Sequence, residues 1–193
     1  MILTDIDLAD LALASYAEPA TVETSDVHAL IVERDGIQII ALRGTDPHHL
    51  IDLIRDAEAV GLRRDPILGD VSASFLGDAE QLVWRLWPSL RAPYALTGHS
   101  KGAAEAQALA AILAHMGRPP MRLAAFEPPQ LGLCNGLVAA LPGIATRHGD
   151  DEITEWPKHG QAQPLTLLPW IGPRPLDPLA YHYMQGVRAA LAG

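Results

Sequence analysis

The serine at position 100 stands in the pattern G-x-S-x-G, formed by Gly98-His99-Ser100-Lys101-Gly102. A short apolar stretch, YALT at 94–97, precedes the pattern, and an alanine-rich stretch that favours a helix follows it. In such a strand–turn–helix setting the serine lies on a sharp, strained turn, where Gly98 and Gly102 avoid the collisions that a Cβ would cause. An ordinary helix cap does not need glycines on both sides. The pattern therefore predicts that Ser100 is a nucleophile.

A serine hydroxyl needs a base to take its proton, and the base needs an acid to orient it. In this setting the acid and then the histidine follow the serine along the chain. Asp150 and Asp151 follow the strand-like segment IATRH (144–148), where an acid is expected. His182 and His159 both satisfy the order for the base. We predict His182, because it starts a predicted terminal helix, whereas His159 lies in a loop rich in proline.

Metal-binding patterns are missing from the sequence. Its eight histidines form neither H-x-x-x-H nor H-E-x-x-H, and Cys134 is its single cysteine. One cysteine also excludes an intramolecular disulfide and a four-cysteine zinc site. We expect no metal and no other cofactor.

The composition bounds the class of protein. The chain has 193 residues and a net charge of −9, with 49% hydrophobic and 19% charged residues, which suits a single domain over 1–193 and excludes disorder. Lys and Arg do not cluster, which argues against a nucleic-acid partner. No apolar run approaches the ~18 residues of a membrane helix. The first residues carry Asp5, Asp7 and Asp10 where a signal peptide is basic. We expect a cytoplasmic protein, with export independent of a signal left open.

Hydrophobic periodicity gives the elements that must position these side chains. The patterns predict a hairpin of VHALIVE (27–33) and IQIIALR (37–43) around Asp35-Gly36, then strands at 94–97, 121–126 and 144–148. Helices are predicted at 4–16, 48–60, 74–90, 101–116, 131–141 and 177–191. Trp84 and Trp87 share helical spacing with Leu82 and Leu86, so we expect them in the core. Short apolar strands that alternate with helices predict an α/β fold: a mostly parallel sheet flanked by helices, with antiparallel strands at its N-terminal edge.

Five segments, in order, resemble those of the class 3 lipases, the α/β-hydrolase family of the fungal triacylglycerol lipases. ALRGTD (41–46) is similar to F-R-G-[ST], and VSASFL (71–76) is faintly similar to V-H-x-G-F-L. The segment 94–110 resembles T-G-H-S-L-G-G-A-L-A, and FEPPQLG (126–132) resembles F-G-x-P-R-V-G. RHGDDEITEWP (147–157) resembles N-D-x-V-P-x-L-P. The resemblance covers roughly residues 27 to 187.

The resemblance implies a carboxylic-ester hydrolase that acts on lipid or other acyl esters through an acyl-serine. By position in the family's motifs, Ser100 is the nucleophile, Asp151 the acid and His182 the base. The backbone amides of Thr45 and Lys101 would form the oxyanion hole. The expected partner is a small-molecule or lipid ester substrate, with transient contact to a lipid surface.

Several points stay open at this stage. Lys101 replaces a usual leucine, and its side chain is either solvated or meets an anionic group of the substrate. The amphipathic segment 46–60 forms either the lid that the family has after the oxyanion residue or a surface helix packed on the core. The proline-rich segment 156–175 is the second candidate for a wall of the substrate site. The same three residues would serve an acyltransferase, and a third reading is a non-catalytic interaction domain on the same scaffold. Acyl-chain length, head group and oligomeric state are not predicted.

Overall fold

A computed structural model describes residues 3–45, 49, 60–132, 134–156, 159–169, 182 and 184–193. The helices in these residues are α1 (Asp5–Ala14), α2 (Ala73–Leu86), α3 (Lys101–His115) and α4 (Met184–Ala192). The strands are β1 (Val22–Glu23), β2 (His28–Arg34), β3 (Ile37–Leu42), β4 (Leu62–Asp65), β5 (Gly69–Ser72), β6 (Tyr94–His99), β7 (Arg122–Phe126), β8 (Gly143–His148) and β9 (Leu165–Leu168). Short 3₁₀ helices occupy Cys134–Gly136 and Glu152–Glu155.

Seven strands form the main sheet, in the order β1-β2-β3-β6-β7-β8-β9. From β3 to β9 the neighbours pair in parallel, whereas β1, β2 and β3 pair antiparallel at the N-terminal edge. The register sets Leu42 beside Gly98 and His99 beside Phe126. The carboxyl ends of β3, β6 and β7 therefore meet at one edge of the sheet. The predicted α/β fold is confirmed, including the antiparallel edge.

Alternate side chains of the central strands face the two helical layers. Ile40 and Leu42 of β3 lie in the core with α2 and α3, whereas Ile39 and Ala41 lie in the core with α1 and α4. Successive side chains of a strand point to opposite faces, so both faces of β3 are apolar and buried. The sheet that carries the candidate site is thus held from both sides.

Three local predictions differ from the structure. Leu165–Leu168, predicted as loop, pairs with β8 as strand β9. The segment 61–72, for which no element was predicted, forms the antiparallel hairpin β4–β5. The predicted helix 131–141 is reduced to a 3₁₀ turn and further turns, because Asn135 and Gly136 have φ of 48° and 76°, which an α-helix excludes.

The expectation that Trp84 and Trp87 lie in the core is wrong. Trp84 is 80% exposed and Trp87 is 37% exposed. Two residues along an α-helix correspond to a rotation of about 200°, so Trp84 points away from the buried face that carries Leu82. Trp87 follows the end of α2, and the guanidinium of Arg118 lies 4.8 Å from the centre of its ring.

Some predicted elements reach beyond the described residues. Most of the helix predicted at 48–60 lies outside them, as does the first part of the terminal helix, and α4 begins at Met184. Both segments considered for a lid also extend outside the described residues. None of the described helices is both long and apolar enough to cross a membrane.

Candidate active site

Ser100 lies on the turn between β6 and α3, with φ 56° and ψ −128°. A residue other than glycine rarely adopts a positive φ, and such backbone strain is concentrated at functional sites. The Ser100 amide donates a 2.9 Å hydrogen bond to the carbonyl of Phe126, which holds the turn against β7. Ser100 is buried, and among the described residues its Oγ has no hydrogen-bond partner. The backbone of Ser100 is therefore fixed, while its hydroxyl is not committed to another of the described residues.

The two glycines of the turn have a steric reason. A Cβ on Gly98 would lie 2.4 Å from the carbonyl oxygen of Gly102, and a Cβ on Gly102 would lie 2.3 Å from that of Leu42. Both distances are far below van der Waals contact, and both obstacles are backbone atoms. The turn that presents Ser100 therefore requires glycine at both positions.

His182 and Asp151 lie together at the same edge of the sheet. His182 Nδ1 donates to Asp151 Oδ2 over 2.8 Å, and Asp151 Oδ1 accepts the amide of Ile153 over 3.0 Å. Both residues are buried. The hydrogen bond at Nδ1 leaves the lone pair on Nε2, which has no hydrogen-bond partner among the described residues. An oriented imidazole with an available Nε2 is the form that a general base requires.

The structure separates the alternatives that the residues left open. Asp150 is exposed, whereas Asp151 is fully buried against His182. His182 lies two residues before α4, and α4 is anchored by the buried Val187. This arrangement favours Asp151 over Asp150 as the acid and His182 over His159 as its partner.

Thr45 and Lys101, the predicted oxyanion residues, both line one cavity of about 430 Å³. Thr45 follows β3, and Lys101 contributes the first amide of α3, a position without an intrahelical acceptor. The other lining residues of the cavity are Tyr16, Asp26, His28, Arg43 and Gly44.

The side chain of Lys101 has neither of the two predicted environments. It is only 8% exposed, and its Nζ lies 3.0 Å from Glu105 Oε1 and 3.1 Å from Asp78 Oδ2. Nζ also donates to the carbonyl of Asp26 over 2.7 Å. Burial alone would lower the pKa of Lys101, but the two carboxylates raise it above its usual value. The expectation of a solvated ammonium is wrong, because Glu105 and Asp78 supply anionic partners inside the protein.

His99 links three groups behind Ser100. Its Nε2 lies 2.9 Å from the carbonyl oxygen of His182 and 3.1 Å from Glu127 Oε2, and its Nδ1 lies 2.7 Å from the hydroxyl of Tyr16. A carbonyl can only accept, so Nε2 carries the proton and Nδ1 accepts from Tyr16. Burial lowers the pKa of His99 to about 4, against the opposing effects of Asp151 and the His182 carbonyl. A neutral His99 thus holds the backbone of His182.

Sequence reasoning did not find Tyr16, His99 and Glu127 as members of the site. They lie far apart along the chain and meet only through the sheet order. One signal was present: FEPP at 126–129 has a glutamate where the resembled motif F-G-x-P has a glycine. A charged residue at the position where the resembled motif has glycine indicates that Glu127 has a specific role.

One group of described residues has the spacing of a metal site. Ligand atoms of His99, Glu127 and His182 all lie within 4.8 Å of one another, and all three residues are buried. Two nitrogens and a carboxylate oxygen would suit zinc. However, Nε2 of His99 already donates to a carbonyl, and Nδ1 of His182 already donates to Asp151. Glu127 and His182 lie 28 and 83 residues from His99 along the chain, so a search for short metal-binding motifs does not find this group. The absence of a metal stays a prediction.

By sequence, no protein-family model and no curated protein matches the chain. By structure, it is similar to the triacylglyceride lipase of Rhizomucor miehei, with a TM-score of 0.60 and 19% identity over 78% of this chain and 65% of the lipase. The lipase of Rhizopus microsporus var. chinensis matches with a TM-score of 0.53 and 21% identity, over 68% of this chain and 52% of the lipase. A Yarrowia lipolytica lipase matches with a TM-score of 0.55 and 16% identity, over 86% of this chain and 79% of the lipase. The chain spans about half the length of the Rhizopus lipase. At these identities the likeness establishes the fold, here the α/β-hydrolase fold.

Proposed function

We propose that this protein is a carboxylic-ester hydrolase of the lipase or esterase type, with Ser100, His182 and Asp151 as its catalytic residues. The observation that carries the proposal is a strained, buried serine at the edge of the sheet where a buried carboxylate orients an imidazole. A binding module has no use for that strain, and the lipase-like fold supports the same conclusion.

In the proposed reaction, Ser100 Oγ attacks the carbonyl carbon of the ester while His182 Nε2 takes the hydroxyl proton. Asp151, which accepts the hydrogen bond from Nδ1, stabilises the resulting imidazolium. The negative charge that develops on the carbonyl oxygen is held by the amides of Thr45 and Lys101, each worth about 3–4 kcal/mol in the transition state. His182 then returns the proton to the leaving alcohol, and water releases the acid from the acyl-serine by the same steps.

The substrates that we propose are lipid or other acyl esters. The lipases of similar structure support this class. An acyltransferase would use the same residues and differ in the acceptor. Adding an alcohol to the assay and measuring the ester formed separates transfer from hydrolysis.

Ser100→Ala should abolish hydrolysis of p-nitrophenyl esters, with a loss of at least about 10⁴-fold, because no other group replaces the nucleophile. A fluorophosphonate should label the unaltered chain and leave Ser100→Ala unlabelled. Assaying esters of increasing chain length defines the acyl preference, and a chelator added to the same assay should not reduce turnover.

Ser72→Ala is the matched control, because Ser72 is likewise buried with an Oγ that lacks a partner among the described residues. It should keep both labelling and turnover. Activity of Ser100→Ala within tenfold of the parent would contradict the proposal.

A further inference from the structure

Glu127 occupies an unfavourable position for a glutamate. It follows β7 directly, its φ is 53°, and its side chain is fully buried. A positive φ favours glycine, and a buried carboxyl loses the solvation that stabilises its charge. Retaining a glutamate under both penalties points to a role for its carboxyl.

The Glu127 carboxyl is surrounded by imidazoles from three elements. Its Oε2 lies 3.1 Å from His99 Nε2, at the end of β6, and 3.6 Å from His182 Nδ1, ahead of α4. Its Oε1 lies 3.9 Å from His148 Nδ1, at the end of β8. Of these three histidines, His182 is the one that the proposed mechanism uses as a base.

Nδ1 of His182 consequently faces two carboxyls. Asp151 Oδ2 is its hydrogen-bond acceptor at 2.8 Å, and Glu127 Oε2 lies 0.8 Å further away, at 3.6 Å. The two acids follow adjacent parallel strands: Glu127 comes directly after β7, whose last residue Phe126 pairs with Thr146, and Asp151 lies three residues after the end of β8. A small movement of either side chain would exchange one acceptor for the other.

We propose that Glu127 is a second acid for the catalytic histidine: it stands beside Asp151 at the Nδ1 edge of His182 and takes over as hydrogen-bond acceptor when Asp151 cannot serve. This inference rests on the proposed function, since it assigns a partner to the same base. Glu127 touches no reacting atom, so it is a positioning residue.

The charges explain how two acids coexist at one imidazole. Burial raises the pKa of Glu127 well above its usual value; the nearby His182 lowers it, the Asp151 charge raises it further, and a hydrogen bond from the His148 backbone lowers it. Burial therefore favours the protonated form of Glu127, and Asp151 is the acceptor of the hydrogen bond from Nδ1. Without the Asp151 charge, Glu127 ionises more easily, its proton passes to solvent, and the carboxylate becomes the partner of His182.

The first test is a double-mutant cycle on kcat/KM for a p-nitrophenyl ester, with Asp151→Asn, Glu127→Gln and the double variant. A serine triad without its acid loses about 10⁴-fold. We expect Asp151→Asn to lose only about 10²-fold, and Glu127→Gln alone less than tenfold. Glu127→Gln added to Asp151→Asn should cost a further ~10²-fold. Asp150→Asn, an exposed carboxyl one residue away, is the matched control and should stay within twofold of the parent.

The pH dependence supplies a readout that a structural role would not produce. In Asp151→Asn, kcat/KM should gain a dependence on the ionisation of Glu127, and adding Glu127→Gln should remove it. His99, His148, His182 and Asp151 face Glu127 from the packed elements. The cycle cancels their contributions, because they are present with and without Glu127.

A second readout does not require turnover. The NMR signal of the proton on His182 Nδ1, in Asp151→Asn and in the double variant, reports whether a carboxylate still accepts a hydrogen bond from Nδ1. We expect this signal to lie far downfield in Asp151→Asn and to lose that downfield shift in the double variant. Glu127→Gly is a second variant that suits the positive φ, and it tests the same point if Glu127→Gln folds poorly.

Equal effects of Glu127→Gln with and without Asp151, or an identical signal of the His182 Nδ1 proton in the two variants, would overturn the second-acid role. An unaltered chain that hydrolyses no ester and takes up no fluorophosphonate would instead overturn the proposed function. In that case the Nδ1 proton signal still tests whether Glu127 pairs with His182.

Discussion

At the scale of single residues, the candidate site combines groups that a folded chain normally avoids. Ser100 and Glu127 have positive φ, and His99 is a buried imidazole kept neutral by its surroundings. Each is stabilised by a specific contact: Ser100 by the Phe126 carbonyl, Glu127 by the Thr146 carbonyl, and His99 by Tyr16 and the carbonyl of His182. The strain is therefore concentrated where the proposed chemistry needs fixed groups.

The base can be tested at this scale. His182→Ala should lower kcat/KM for a p-nitrophenyl ester by at least about 10⁴-fold, because no other group would take the Ser100 proton. His159→Ala, the matched control, should stay within tenfold of the parent. Thermal unfolding of both variants checks that each is folded. Turnover by His182→Ala together with an inactive His159→Ala would move the base to the segment 156–175.

At the scale of elements, a buried cluster of charges joins the two helices on one face of the sheet. Asp78 belongs to α2, whereas Lys101 and Glu105 are one turn apart on α3. Nζ of Lys101 also donates to the carbonyl of Asp26, between β1 and β2. The first residue of α3, which carries a proposed oxyanion amide, is thus tied to a second helix and to a loop.

Removing the lysine should therefore destabilise the fold. Lys101→Met leaves Asp78 and Glu105 buried without their cation, and we expect the free energy of unfolding to fall by about 3–5 kcal/mol. Chemical denaturation measures this loss. Burial raises the pKa of Glu105 well above its usual value, and Lys101 opposes this effect. Adding Glu105→Gln to Lys101→Met should therefore recover part of the loss, because Glu105 then no longer has to carry a buried charge or take up a proton. Equal stability of Lys101→Met and the parent would show that the cluster contributes nothing net.

At the scale of the whole molecule, the parallel order of β3, β6, β7 and β8 collects the site from distant parts of the chain. Their carboxyl ends lead to Thr45, Ser100, Glu127 and Asp151, and the segment ahead of α4 adds His182. Ligand sites of open α/β sheets lie at this edge of the strands. Protonation within this edge therefore acts on the stability of the entire fold.

His99 makes that coupling measurable. Burial lowers the pKa of His99 from 6.5 to about 4. Between these two pH values the imidazole is protonated in the unfolded chain and neutral in the folded chain. Its contribution to stability is complete above pH 6.5 and is lost as the pH falls to about 4, in total about 3 kcal/mol. Denaturation of the parent and of His99→Gln at several pH values should show this difference. If the stability of His99→Gln fell with pH as steeply as that of the parent, the prediction would be contradicted.

The sequence by itself determined the features that depend on neighbouring residues. The turn around Ser100 needs an apolar strand, two glycines and a helix former within a few positions, and all are local. Strand β8 and the two aspartates after it were likewise predicted from one short segment, and the α/β class was predicted from the alternation of strands and helices. Hydrophobic periodicity and glycine sterics act over short distances, so these predictions needed no tertiary structure.

Only the tertiary structure decided which distant side chains meet. Lys101 is buried because α2 brings Asp78 to it, and Trp84 is exposed because no element covers the outer face of α2 among the described residues. Glu127 faces His182 because β7 and β8 end side by side. Burial, charge pairing and the pKa of a carboxyl depend on all neighbours in space, and strand order, rather than local sequence, chooses those neighbours.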